Sequence, residues 1–235
     1  IEDISATMIA GKCNLIIGTS GSGKTVLTKC IVDLIQADQG EVIFDGKSLT
    51  SMNKEDRKDL RNSIGMLFQG NALFDSMTVA ENVGFPLKMF TNQSDKEINQ
   101  RVDFVLDRVK LTEAKDYLPS EISGGMQKRV AIGRAIVNNP KYLFCDEPNS
   151  GLDPRTSIVI DNLLQEISQE YNITTVVNTH DMNSVMEIGD NILFLKDGLK
   201  AWEGNKDMIF KTDNEAVVDF VYSSNLFKKV REAVN

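Results

Sequence analysis

Gly18-Thr19-Ser20-Gly21-Ser22-Gly23-Lys24-Thr25 fits the pattern G-x-x-x-x-G-K-[ST] at every fixed position. Gly18, Gly21 and Gly23 permit backbone conformations that turn N–H groups inward around phosphate oxygens. Lys24 adds a mobile positive charge, and the Thr25 hydroxyl is a hard oxygen donor suited to Mg²⁺. Average residue usage would produce this pattern by chance in about 1% of chains of this length, and its position after an apolar strand and before a helix lowers that further. We therefore read it as a nucleotide-phosphate loop. Asp146 and Glu147 close the apolar run Tyr142-Leu143-Phe144-Cys145. Carboxylates at the C-terminal end of a strand in an open parallel sheet lie beside such a loop. Asp146 is then suited to Mg²⁺, and Glu147 to accepting a proton from water. Adjacent residues diverge, so the two are expected to have separate tasks. Taken without the loop, the pair is simply the acidic start of a turn.

Three further positions bear on the same chemistry. Gln69 directly follows the apolar strand Ile64 to Phe68, either as a ligand or water-orienting amide, or as a polar strand cap. His180 is the single histidine and follows the strand Thr174 to Val177. It is either structural or a hydrogen-bond donor to a terminal phosphate. Ile122-Ser123-Gly124-Gly125-Met126-Gln127 precedes a helical pattern containing Val130, Ala131, Arg134, Ala135 and Ile136. Ser123 can cap that helix, and exposed N–H groups at a helix start attract anions. A plain cap is the alternative. The chain thus holds two Gly-rich elements suited to phosphates, where one nucleotide needs one.

The elements that must carry these residues are legible as alternating patterns. Asn14 to Ile17 feeds the first loop, and Val26, Leu27, Cys30, Ile31 and Leu34 are spaced for one buried helix face. Gly40 to Gly46 reads as a strand ending in an Asp-Gly turn. From Gly70 to Arg129 the composition turns polar and helical, with breaks expected at Pro86 and Pro119 and an apolar stripe at Val102, Val105, Leu106 and Val109. Strand signals resume at Tyr142, Thr174 and Ile192, with helical segments between them. This predicts an α/β chain with a mostly parallel sheet covered on both faces and a helical subdomain inserted into it. The expected division is 1–69 and 130–212 for the core, 70–129 for the helical subdomain and 213–235 for a helical tail.

The 235 residues are enough for one sizeable core. A formal net charge of −8 argues against a general nucleic-acid grip, while a local nest of N–H groups still holds phosphate on an acidic protein. Cys13, Cys30 and Cys145 fit neither a zinc pattern nor a closed disulfide framework, so buried free thiols in a reducing compartment are expected. No apolar run reaches the roughly 20 residues needed to cross a bilayer. The chain opens at Ile1 inside what reads as a continuing segment, so an upstream stretch is expected.

Taken together, these residues make the chain resemble an ABC transporter ATPase subunit over nearly its whole length. The glycine loop corresponds to Walker A, Gln69 to the Q-loop and Ser123 to Gln127 to the ABC signature. Phe144-Cys145-Asp146-Glu147 corresponds to Walker B, Ser150-Gly151-Leu152-Asp153 to the D-loop and His180 to the switch histidine. The interval from Lys24 to Ser123 suits a transporter cassette rather than the chromosome-maintenance relatives with their long coiled coils. The resemblance implies a P-loop NTPase (RecA-like) core with the ABC α-helical subdomain. It implies ATP and Mg²⁺ as cofactors, with Glu147, His180 and Lys24 catalytic. Nucleotide contacts would come from Gly18, Ser20, Gly21, Ser22, Gly23, Lys24, Thr25, Val26, Ser123, Gly125 and Gln127, and metal contacts from Thr25, Gln69 and Asp146. It further implies a head-to-tail homodimer on the cytoplasmic face of the inner membrane, in which Ser123 and Gly125 meet the partner's nucleotide and permease subunits dock near Gln69 to Pro86. Phe74, Met77 and Val79 would line that docking groove, with subdomain core as their alternative.

A narrower resemblance, to the ATPases of MCE/Mla-type phospholipid transporters, rests on Gly65 to Val83, on Met126 within the signature followed by Lys128-Arg129-Val130, and on Asn149 to Pro154. It implies phospholipid cargo and a lipid-binding MCE-type subunit. An ATPase for an amino acid, lipoprotein or drug is the alternative within the class. A soluble ABC ATPase acting on a ribosome or DNA is the alternative outside it. The family's adenine-stacking aromatic lies upstream of Walker A, and nothing in Ile1 to Cys13 supplies it.

Overall fold

The computed structural model describes residues 1–222. Its first strand, β1 (Cys13–Ile17), is buried at all five positions. The glycine loop follows it and leads into α1 (Lys24–Ile31). The apolar face expected on α1 forms only in part. Leu27 and Ile31 pack, half-buried, against the core that holds Ile16 and Phe144, whereas Val26 is 43% exposed and Leu34 is 59% exposed. The helix ends before Leu34, and Asp33 turns away with φ 61°. Lys24 and Thr28 are its buried residues, and Thr28 Oγ1 donates to Asn178 Oδ1 at 2.9 Å.

The strand expected over Gly40 to Gly46 is shorter: β2 (Ile43–Phe44) pairs with β3 (Lys47–Ser48) around Asp45-Gly46, both with positive φ as a tight hairpin requires. An unanticipated α2 (Lys54–Asn62) begins with an Asn53–Asp56 capping box. Then come β4 (Ile64–Leu67), α3 (Val79–Phe90), α4 (Asp95–Arg108) and α5 (Gly124–Ile136). Thr78–Glu81 and Ser94–Glu97 capping boxes start α3 and α4. The break expected at Pro86 does not occur. Pro86 sits inside α3, where its missing N–H leaves the Asn82 carbonyl without its usual helical partner. Burial of Val83 and Leu87 on either side holds the helix together. Pro119 does interrupt helix, opening a single 3₁₀ turn at Pro119–Glu121.

The second part of the core alternates β5 (Tyr142–Asp146), α6 (Pro154–Glu170), β6 (Thr174–Thr179), α7 (Met182–Ile188) and β7 (Asn191–Lys196). A final β8 (Leu199–Gly204) turns back antiparallel on β7, and α8 (Glu215–Val221) follows. The expected helical tail is described only as far as residue 222, and its remainder lies outside the described residues. Strand order is β4-β5-β6-β1-β7-β8, parallel except for β8, so the mostly parallel sheet expected from the alternating pattern does form.

Period-two alternation sends side chains to two cores. Leu15, Ile17 and Cys145 join α3 to α7 on one face, while Ile16 and Phe144 join the other face. Cys13 and Cys145 are buried free thiols, as expected, and Cys30 is half-buried.

The loop between β4 and α3 is tied down by one side chain. Asn82 is fully buried; its Oδ1 accepts from Phe74 N, and its Nδ2 donates to the carbonyls of Phe74, Met77 and Thr78 at 3.0–3.1 Å. Asn82→Leu keeps the branched shape but orphans these backbone groups. It should cost about 2–3 kcal/mol and lower the thermal midpoint by roughly 5–10 °C; calorimetry checks this, and an unchanged midpoint would refute the anchoring role.

Candidate functional site

Strand register explains why the chemistry collects at one edge. β1 pairs with β6 so that Ile17 faces Thr179, and β6 pairs with β5 so that Asn178 faces Asp146. The residues just beyond, Gly18, His180 and Glu147, therefore leave the sheet at one level. β4 pairs with β5 with Leu67 opposite Cys145, which carries Gln69 to the same edge. This edge is the crevice outside the carboxyl ends of the strands, where open α/β sheets bind ligands.

At that edge the side chains meet. Thr25 Oγ1 donates to the Asp146 carboxylate, 3.3 Å from Oδ1 and 3.1 Å from Oδ2. Asn178 Nδ2 donates to Asp146 Oδ1 at 2.9 Å, and the Asn178 carbonyl accepts from Glu147 N at 3.0 Å. Glu147 then adopts φ 49°, a left-handed conformation that non-glycine residues seldom take. That reversal turns Glu147 away from Asp146 and toward His180, whose Nδ1 lies 2.9 Å from Glu147 Oε1. Lys24 Nζ reaches within 4.0 Å of the same oxygen and donates to the carbonyls of Gly18 and Thr19 at 2.9 and 3.1 Å. Burial pushes the Lys24 ammonium below its ordinary pKa, and the charges of Glu147 and Asp146 oppose that shift.

The loop itself fits a phosphate. Gly18 has φ 151°, and a Cβ there would lie 2.3 Å from Leu195 O and 2.6 Å from Ser22 Oγ. The backbone is thus shaped so that only glycine suits it. Ser22 Oγ is buried without a hydrogen-bond partner, a polar atom aimed at a group of complementary chemistry. Thr19, Ser20, Gly21, Thr25 and Val26 are exposed along the loop and the first turn of α1. Among the described residues no cluster of three His, Cys, Asp or Glu side chains is placed to hold a metal. A metal here would take one carboxylate and one hydroxyl from the protein and its other ligands from phosphate and water, the habit of Mg²⁺ rather than of a structural zinc.

Not every expected residue joins. Gln69 is exposed, and its amide makes no hydrogen bond to Thr25, Asp146 or Glu147 among the described residues. Its carbonyl instead accepts from the buried Lys128 Nζ at 2.9 Å. Burial lowers the Lys128 pKa, opposed by the charge of Glu147. Gln127 donates to the Pro119 carbonyl at 2.9 Å. Ser123 caps α5, accepting from Met126 N at 3.3 Å. With Gly125, Gly151, Leu152 and Thr156 it lines a separate open groove of about 500 Å³. A Cβ on Gly125 would lie 2.6 Å from Thr156 Cγ2, so close packing of α5 on α6 by itself requires glycine there. Among the described residues no hydrogen bond or ion pair links the Gly18–Thr25 loop to Ser123–Gln127.

Sequence reading overlooked Asn178 and Thr28, and gave Lys128 no role at the site. For Asn178 the one available signal was a polar residue within the strand Thr174–Thr179.

Comparison with known proteins agrees with this geometry. The family profile described as ABC transporter matches residues 1–150. A methionine import ATP-binding protein MetN from Desulfitobacterium hafniense (strain Y51) is 40% identical over 210 residues, 89% of this chain and 62% of that protein. The chain therefore spans less than two thirds of this curated relative. Among solved structures, the ABC transporter cassette MJ0796 matches with TM-score 0.76 and 33% identity, covering 86% of this chain and 88% of that one. It has been described both as a dimer and as a post-hydrolysis state bound to ADP and Pi. The cbiO1 protein of Clostridium perfringens, part of the cbiONQ ABC transporter complex, matches with TM-score 0.83 and 30% identity, covering 97% and 90%. A glycine loop, a strand-end carboxylate pair and a histidine on one sheet edge, in a chain matched by this family over residues 1–150, lead to one conclusion: the chain belongs to the ABC transporter ATP-binding family and has its P-loop NTPase fold.

Proposed function

We propose that the chain binds and hydrolyses ATP as the energy-supplying subunit of a membrane transporter. The observation that carries this reading is the convergence of Lys24, Thr25, Asp146, Glu147 and His180 at one sheet edge. When bound, ATP brings the anhydride whose hydrolysis releases free energy, and Mg²⁺ spreads the charge of its phosphates. The backbone N–H groups of residues 18–25, with Ser20, Ser22 and Val26 along the loop, cradle phosphate, and Lys24 adds positive charge. Thr25 and Asp146 would hold the metal; Gln69, whose amide makes no hydrogen bond to either among the described residues, stands outside that pair. Glu147 accepts the proton of water at its carboxylate, and His180 orients that carboxylate through its ring nitrogen.

The functional unit in this reading is a pair of chains. Among the described residues the Ser123–Gly125 groove has no tie to the glycine loop of its own chain, which supports each groove completing the site of a second copy in a twofold homodimer. Gln127 supports that groove from behind through its bond to Pro119. MJ0796, described as a dimeric cassette, supports the same arrangement. The chain acts at the cytoplasmic face of the membrane, bound to permease subunits near Gln69 to Pro86. Phe68 and Phe74 are exposed there, while Val79 is core. Among the described residues no helix is long and apolar enough to cross a membrane. Nothing in the acidic surface supports a nucleic-acid partner.

Relatives named for methionine import support an amino acid as cargo. Phospholipid transport is the second reading, favoured by the Gly65–Val83 segment, Met126 and Asn149–Pro154. The comparisons do not support an MCE-type subunit.

Glu147→Gln should retain ATP affinity and trap the dimer, while kcat falls at least about 100-fold. Near-normal turnover would remove Glu147 from its role. Ser123→Arg should leave ATP binding by the monomer intact and abolish turnover by the dimer, measured by nucleotide titration and phosphate release; full turnover would sink the paired-site reading. Reconstituted with its co-purified membrane subunits in liposomes, the protein should drive ATP-dependent methionine uptake. Movement of labelled phospholipid without methionine uptake would overturn the amino-acid reading in favour of the second.

A further inference from the structure

Behind the site lies a buried polar cluster that the hydrolytic residues do not explain. Asn149 Nδ2 donates to Asp161 Oδ1 at 2.8 Å and to Ser184 Oγ at 2.9 Å. Asp161 is 1% exposed and Ser184 is fully buried. Each of the three belongs to a different functional segment. Asn149 lies two residues after Glu147, in the turn that Ser150 N closes on the Glu147 carbonyl at 3.1 Å. Asp161 lies on α6, whose first turns carry Thr156 and Val159 along the Ser123 groove. Ser184 lies on α7, which starts at the Asp181 cap one residue beyond His180.

A buried carboxylate is costly, and exchanging a whole buried polar cluster for apolar residues is often neutral or stabilising, so a structural role alone is a weak explanation. Burial raises the Asp161 pKa to about 6, with Ser184 and Asn149 opposing and the charges of Asp181 and Glu187 adding. Asp161 Oδ2 and Asn149 Oδ1 have no hydrogen-bond partner in the structure. The cluster is thus under-satisfied and held in one arrangement by three elements at once.

We propose that Asp161 is a positioning residue for hydrolysis: it orients Asn149, whose amide also bonds Ser184, so that the 147–153 turn is clamped to α6 and α7 together and Glu147 is held against His180. The same clamp fixes Gly151 to Asp153 relative to the Ser123 groove, and so connects the two halves of the proposed paired site within one chain. This assignment rests on the ATPase reading above.

The test exchanges the partners. Asn149→Asp places a second buried carboxylate beside Asp161, and Asp161→Asn leaves two amides facing one another. Each single variant should lower kcat about 10-fold or more while the KM for ATP and the affinity for a non-hydrolysable ATP analogue stay within about 2-fold. The double exchange Asn149→Asp/Asp161→Asn reverses donor and acceptor and should restore kcat to within about 3-fold of the unaltered protein. Thermal unfolding of every variant is recorded alongside. Should neither single variant fold, Ser184→Ala removes only a hydroxyl and should still reduce kcat a few-fold at unchanged KM. Lowered thermal midpoints with normal kcat would overturn the assignment, as would a folded double exchange no better than its parents, or normal turnover in Ser184→Ala. Absence of turnover in the unaltered protein would instead overturn the ATPase reading, and this assignment with it.

Discussion

The side-chain amide of Asn178 is the interaction on which the edge of the sheet depends. It accepts from Thr28 Oγ1 on α1 and donates to Asp146 on β5, from a strand lying between β1 and β5. Both bonds are buried or partly so, where an unpaired amide or carboxylate would be expensive. The amide therefore fixes the helix that follows the glycine loop relative to the strand that ends in carboxylates. The Asn178 carbonyl adds a third tie, accepting from Glu147 N at the point where the chain reverses. A loop able to cradle phosphate and a carboxylate able to hold metal are of little use unless their separation is constant. Parallel register sets that separation coarsely, and one asparagine sets it finely.

The reversal at Glu147 follows from this anchoring. Two consecutive carboxylates at a strand end would otherwise point to opposite faces of the sheet, one of them into apolar core. The left-handed turn at Glu147, followed by the buried Pro148, releases the second carboxylate sideways into the crevice. Such conformations persist only where surrounding bonds over-determine them. Here those bonds are Glu147 N to Asn178 O, Ser150 N to Glu147 O, and the clamp from Asn149 to α6 and α7. A strained backbone at this residue keeps Asp146 and Glu147 in separate surroundings, one beside Thr25 and Asn178, the other beside His180 and Lys24.

Much of this was legible in the sequence because it resides in local pattern. Gly18 to Thr25, the carboxylates ending Tyr142 to Cys145 and the histidine two residues beyond Asn178 are all marked by a neighbouring apolar strand. Strand alternation with helices was enough to anticipate a mostly parallel sheet. What escaped depends on contacts distant in sequence. The polar face of α1 is unreadable without knowing that Thr28 meets Asn178. Apolar spacing over Val26 to Leu34 suggests one continuous buried stripe, yet Leu27 and Ile31 pack on the core while Val26 and Leu34 stay exposed. Pro86 reads as a breaker, yet packing around Val83 and Leu87 outweighs the lost backbone bond. β8 escaped because a short antiparallel edge strand of mixed polarity has no strong period.

The same logic explains why cargo is harder to read than energy source. The residues at the sheet edge answer to phosphate and water, and that chemistry is shared across the family whatever is transported. The segment from Gly65 to Val83 is different in kind. Its Asn82 anchor holds a loop that leaves Phe74 exposed, its ring tilted against Phe85 at 4.6 Å and lying near the Arg134 guanidinium. Arg134 in turn donates to the carbonyls of Asn71 and Ala72, both at positive φ. A loop so heavily restrained by α5 is a rigid face rather than slack chain. Movement of the Ser123 end of α5 would reach it through Arg134 and through Lys128, whose ammonium holds the Gln69 carbonyl. The Gly65–Val83 face and the Ser123 end are thus joined along α5, through Arg134 and Lys128.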